Sequence, residues 1–122
     1  MANSIFEKYG GFKTVSQVVM TFYEMALDSD QIGDHFENID MGRLIDHQTK
    51  FVASVLGGPA SFSDDRLAQV HARLAISDPD FDEMCDLLAQ AMEEHGMDEP
   101  DIHLVRGAIE SKRGIIVDRS AA

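Results

Sequence analysis

Residues 35–59 read HFENIDMGRLIDHQTKFVASVLGGP, and the punctuation of that stretch decides the fold. Leu44, His47, Gln48, Phe51 and Val55 recur three or four positions apart, so they share one face of an α-helix. Asp40 stands just before them as an N-cap, a carboxylate able to accept from the first free backbone N–H groups. Gly57-Gly58-Pro59 stands just after, because glycine takes the left-handed conformation past a helix end and proline cannot continue the helix. The predicted helix follows Asp40 and runs to Leu56. Its inner face mixes an apolar lining with an imidazole and an amide, and polar groups on a core-facing stripe need partners.

The same spacing extends in both directions. Upstream, Gly10-Gly11 makes a break, Thr14 and Gln17 stand three apart as a capping box, and Val15, Val18, Val19, Phe22 and Ala26 form an apolar stripe with Tyr23 beside it. The polar break SDQIGDHFENID, residues 29–40, carries one aromatic, Phe36. Downstream, the loop ASFSDD leads into a short helical stretch, RLAQVHARL, with Leu67, Val70, His71 and Leu74 at helical spacing. Asp78-Pro79 predicts a helix start, with Phe81, Met84, Leu88 and Met92 on one side and Gly96 as the stop. Glu99-Pro100 repeats the device for a last helix whose inner face is Ile102, Val105, Ile109 and Ile116. The tail DRSAA has nothing to anchor it and is expected to be disordered. Period-two alternation is absent, so the fold class is all-α.

At 122 residues the chain has room for one domain, expected to span residues 1–122. Its 22 acidic against 10 basic residues give a net charge of -12, which repels phosphate backbones and anionic headgroups and argues against nucleic acid and membranes as partners. No run approaches the ~20 apolar residues of a membrane span. The opening MANSIFEKYGG lacks the pattern of a signal peptide, so a cytoplasmic location is expected. Cys85 is the single cysteine; it cannot form an internal disulfide, and a buried core position is expected for it.

Chemistry must then come from imidazole, carboxylate or a cofactor. The five histidines, at 35, 47, 71, 95 and 103, contain no HExxH pair, and neither a GxSxG elbow nor a phosphate loop is present. His71 differs from the rest in standing on an apolar face between Leu67 and Leu74. A lone histidine there is more often a satisfied core residue. The imidazole and amide on the helix of residues 44–55 give His71 company and need partners, which a buried cofactor, its gaseous ligand or the Tyr23 hydroxyl at the end of an apolar face would supply.

Four motifs carry a resemblance: TFYEMAL at 21–27, HFENIDMGRLIDHQTKF at 35–51, LGGP at 56–59 and QVHARLAI at 69–76. In this order and spacing the chain resembles the truncated haemoglobins of group I over about residues 4 to 117. The resemblance implies a two-over-two helical sandwich around one noncovalent haem b per chain. It makes His71 the proximal iron ligand, because neutral imidazole coordinates iron through one nitrogen and is oriented by a hydrogen bond from the other. Tyr23 and Gln48 match the distal donors that stabilise bound dioxygen, and Leu44 takes the place where many globins put a distal histidine. Phe36 matches the aromatic of the haem pocket, and Phe51, Phe62 and Phe81 match positions that line it. His47 has three open roles: the sixth iron ligand of some cyanobacterial relatives, the propionate contact that other relatives make with lysine, or plain exposure. Arg43, Lys50 and Arg73 are further propionate candidates, each with surface exposure as its bland alternative. The last helix reads SKRGIIV where the cyanobacterial relatives attach haem covalently through histidine, so noncovalent haem is expected; His35, His95 and His103 are expected to face solvent.

The function implied is reversible binding of dioxygen and other diatomic gases, nitric oxide and carbon monoxide, by a monomer or weak dimer. One alternative is a nitric oxide dioxygenase that needs a separate reductase. Another is a haem-free helical interaction module, against which the retention of both His71 and Tyr23 speaks. A peroxidase would require a distal histidine-arginine pair, which is not apparent.

Overall fold

The computed structural model describes residues 4–37, 39–58 and 76–117. His71, Phe62 and Arg73, with the short helical stretch expected around them, lie outside the described residues, as does the tail expected to be disordered.

Most of the helices start and stop for a local reason. α1 spans Ile5–Lys8, with the Ser4 side chain accepting from the Glu7 N–H. Gly10 and Gly11, at φ 102° and 75°, then reverse the chain in a region closed to most side chains. α2, Phe12–Leu27, therefore begins directly at the glycines, ahead of the predicted Thr14–Gln17 capping box. Thr14 donates its hydroxyl to the Tyr9 carbonyl instead. The buried face of α2 is the predicted stripe with Tyr23 added to it. A 3-10 turn, Gly33–Phe36, leads to α3, Met41–Val55, where Asp40 accepts from the Arg43 N–H at 3.2 Å as an N-cap should. α3 ends where expected: Leu56 is its C-cap, and the Gly58 N–H reaches back 2.8 Å to the Ala53 carbonyl.

α4 spans Asp78–Glu94, and its N-cap is Ser77 rather than Asp78. Ser77 and Asp80 exchange hydrogen bonds in a reciprocal capping box, and that pairing moves the start one residue upstream of the expectation from Asp-Pro. α5, Glu99–Glu110, has Pro100 in its first turn, as predicted. The single last helix expected to carry Ile116 is broken after Glu110 and restarts as α6, Arg113–Ile116.

α2 packs on both α3 and α4, α4 packs on α5, and α3 touches α5. The pairs α2–α3 and α4–α5 thus make the expected two-over-two sandwich, with no strand among the described residues. Ala26, Ala53 and Ala91, all fully buried, keep side-chain bulk low in the core that α2, α3 and α4 share. Polar ties sit at the periphery. Arg113 bridges Asp78, Asp82 and Glu110 while its guanidinium lies 4.5 Å over the Phe81 ring, which fastens α6 to the start of α4. Tyr9 and Lys8 donate to Asp101 at 2.5 and 2.7 Å and fasten α1 to α5. His95 departs from the expectation of solvent exposure: it is half-buried, with Nε2 2.8 Å from the Thr21 hydroxyl. His103 is exposed, as predicted. No helix among the described residues is long and apolar enough to cross a membrane.

Candidate functional site

The inward faces of α2, α3 and α4, with the 3-10 turn between the first two, leave a cavity of about 430 Å³. Among the described residues its wall is mostly apolar, with Val19, Phe22, Ile32, Val52, Ile76 and Leu88 filling the spaces between aromatic rings. The polar residues on the wall are Tyr23, His35, Asp40, Arg43, His47 and Gln48.

Most of the residues singled out from the sequence meet here. Tyr23, Phe36, Leu44, His47, Gln48, Phe51, Phe81 and Arg43 all line the cavity, although they come from four separate elements. Lys50 does not. It lies one turn from Asp46 on the outer face of α3, its ammonium 3.1 Å from that carboxylate, and this i,i+4 pairing accounts for it without any role in the cavity. His35, expected in solvent, is corrected: its side chain is 28% exposed, lines the cavity and holds Asp80 Oδ2 at 2.9 Å.

Tyr23 is the most informative group. Only 5% exposed, its ring is held edge-on by Phe22 at 4.8 Å and Phe36 at 5.4 Å. Its hydroxyl forms no hydrogen bond with any described residue. Burial pushes the phenol well above its ordinary pKa, so the hydroxyl stays protonated and is a donor facing a cavity. Gln48 is half-buried across from it and likewise has no hydrogen-bond partner among the described residues. Leu44, one turn before Gln48 on the same face, puts an aliphatic chain where a competing acceptor could have stood.

Arg43 and His47 are exposed where the cavity opens. In a chain with twice as many acids as bases, the Arg43 guanidinium forms no ion pair with a described carboxylate. An apolar cavity of this kind, with two donors inside and a cation at its mouth that are all unpartnered among the described residues, suits an apolar group that has an anionic edge and carries a small polar ligand. Haem fits that description.

Much of the apolar wall went unnoticed as site residues in the sequence, and so did His35, Met84 and Cys85. Cys85 is buried as expected, and burial raises its thiol to about 11, which leaves it a protonated packing group. Asp80 was equally overlooked. Burial works against its ionisation, yet hydrogen bonds from Gln31, the Ser77 N–H and His35 outweigh that and bring it down to about 2. The Ser77-to-Asp80 spacing of a capping box was the available signal, masked by the neighbouring Asp-Pro pair.

Comparison with known proteins agrees with this geometry. A family model described as bacterial-like globin matches residues 4–117. The group 1 truncated hemoglobin GlbN of Mycolicibacterium paratuberculosis is 31% identical over 106 residues, covering 87% of this chain and 78% of that protein. The group 1 truncated hemoglobin of Tetrahymena pyriformis is 28% identical over 110 residues, covering 90% and 91% respectively. A crystal structure of the Tetrahymena pyriformis truncated hemoglobin in its Fe(III) form superposes with a TM-score of 0.87 at 26% identity, over 96% of this chain and 100% of that one.

Proposed function

Because the chain belongs to the bacterial-like globin family, as a truncated haemoglobin of group 1, we propose that it binds dioxygen reversibly in this cavity, with His71 as proximal ligand and Tyr23 and Gln48 as distal donors. The observation that carries the proposal is the protonated hydroxyl of the buried Tyr23, which lines the cavity with no partner among the described residues.

Noncovalent haem b would supply the ferrous iron at which a diatomic gas binds. The protein's share is to hold the group, to keep water from it and to discriminate between gases. Phe36, Phe51 and Phe81 provide flat apolar contact, and Leu44, one turn before Gln48, adds an aliphatic side chain that disfavours water on the distal wall. Tyr23 Oη and Gln48 Nε2 donate to the gas. Such donation favours dioxygen, which draws electron density, over the less polar carbon monoxide. Arg43 answers the carboxylates of the propionates at the mouth. His47 is exposed beside it, which supports a propionate contact over a sixth iron ligand. His71 brings a neutral imidazole in a segment of sequence that resembles the family's proximal stretch.

Visible spectra of the haemin-reconstituted protein, ferric and then reduced without oxygen, test the assignment. We expect stoichiometric haem uptake, an imidazole-ligated spectrum that His71→Ala abolishes, and a high-spin reduced form that His47→Ala leaves unchanged. A low-spin reduced form that turns high-spin in His47→Ala would make His47 the sixth ligand. Failure to take up haem would refute the proposal.

A further inference from the structure

The turn between α2 and α3 contains a short 3-10 segment, whose backbone hydrogen bonds are poorer in geometry than those of an α-helix. Three side-chain ties fasten it to the first turns of α4. Gln31 Nε2 donates to Asp80 Oδ1 at 2.6 Å, His35 Nε2 donates to Asp80 Oδ2 at 2.9 Å, and Ser29 Oγ donates to Glu83 Oε2 at 2.7 Å. Asp80 is the anchor. It is 6% exposed, and its Oδ2 also accepts the Ser77 N–H at 3.1 Å, so the carboxylate cannot swing without breaking the cap of α4. Held ionised by these donors, Asp80 requires the hydrogen of the shared contact to sit on His35 Nε2.

The other end of the same turn touches the distal site. Phe36, one residue after His35, stands edge-on to Tyr23 at 5.4 Å. Ile32, fully buried, pins the turn from beneath. Apolar contact alone sets depth but little direction, whereas hydrogen bonds to a fixed, charged acceptor set both. We infer that Asp80 is a positioning residue for the Tyr23 hydroxyl: through His35 and Gln31 it fixes the turn that carries Phe36, and Phe36 fixes the phenol that faces the cavity.

This inference rests on the proposed role of Tyr23 as a donor, and a double-mutant cycle separates the two. Dioxygen dissociation rates are measured on haem-reconstituted wild type, Tyr23→Phe, His35→Leu, Asp80→Asn and the Tyr23→Phe/His35→Leu double variant. His35→Leu keeps the capping box intact, so its result stands even where Asp80→Asn folds poorly. We expect His35→Leu and Asp80→Asn each to speed dissociation roughly three- to tenfold, because a hydrogen bond weakens steeply with misalignment. In the Tyr23→Phe background the effect of His35→Leu should fall below about twofold, since coupled residues are non-additive. The C–O stretch of the carbon monoxide complex should broaden or split in His35→Leu and not in the double variant. Equal acceleration by His35→Leu in both backgrounds would mean general loosening and would overturn the inference. A fast Tyr23→Phe beside unchanged His35→Leu and Asp80→Asn would overturn it while leaving the donor role standing. An unchanged Tyr23→Phe would overturn both.

Discussion

Replacing Tyr23 by phenylalanine removes one hydroxyl from the distal side and little else. The ring keeps its edge contacts with Phe22 and Phe36, and no described residue loses a hydrogen-bond partner, because none donates to or accepts from this oxygen. The folded protein should therefore be no less stable, since removing a hydroxyl with no partner among the described residues breaks no hydrogen bond with them. The ligated state, in contrast, loses a donor to a partly charged acceptor, a bond worth about 1.5 to 3 kcal/mol. At about 1.4 kcal/mol per factor of ten, this is roughly a ten- to hundredfold faster release of dioxygen. Gln48 remains to donate, which places the expectation toward the lower end of that range. Carbon monoxide accepts hydrogen bonds poorly, so its dissociation should change less than about threefold. Stopped-flow displacement of dioxygen by carbon monoxide measures the first rate and displacement by nitric oxide the second, while a thermal melt checks stability. A dioxygen rate changed less than threefold, or equal effects on both gases, would refute the reasoning.

Two further predictions concern what holds the site in place. Asp80 lies at about 2 in the folded protein against an ordinary 3.8, so its stabilising contribution is fully present above the ordinary value and is lost as pH falls through the lower one. The denaturation midpoint of wild type should therefore exceed that of Asp80→Asn by a constant margin above about pH 5 and approach it toward pH 2; a margin independent of pH would contradict the hydrogen-bond network drawn around this carboxylate. At Gly58, a Cβ would stand 2.9 Å from the Ala53 carbonyl oxygen and 2.9 Å from Phe6 Cδ1, closer than either contact allows. Gly58→Ala should cost about 1 to 3 kcal/mol and lower the melting temperature by about 4 °C for each, without altering haem uptake; an unchanged melt would show that the α3 end tolerates a side chain.

The helices were legible from local chemistry, and most of the cavity-lining candidates from the family resemblance. Asp40 and the Gly57-Gly58 pair bounded α3 correctly because capping is a contest between neighbouring groups, and a side chain three residues away decides it. The same locality explains the small errors. Asp78-Pro79 offered a start for α4 that Ser77 and Asp80 displaced by exchanging two hydrogen bonds, and Gly11 started α2 before Thr14 could cap it. The split between α5 and α6 follows from tertiary contacts: Arg113 turns back to Asp78 and Asp82 on another helix, and no periodicity in residues 111–117 announces that.

By itself the sequence determined the all-helical class, the buried stripes and a set of wall residues, since an amphipathic helix can bury only the face its spacing makes apolar. It also marked Tyr23, His47 and Gln48 as polar groups on such faces that call for a partner, while Leu44 was singled out by the family resemblance. The tertiary structure decided which cations belong to the cavity. Lys50 and Arg43 are both basic residues of α3, yet Lys50 turns to Asp46 while Arg43 lines the cavity with no such partner among the described residues. It decided as well that His35, read as a solvent histidine, is a buried carboxylate's donor on the cavity wall. Asp80 lies 45 residues further along the chain, and a contact across that separation exists only once α2 and α4 have packed.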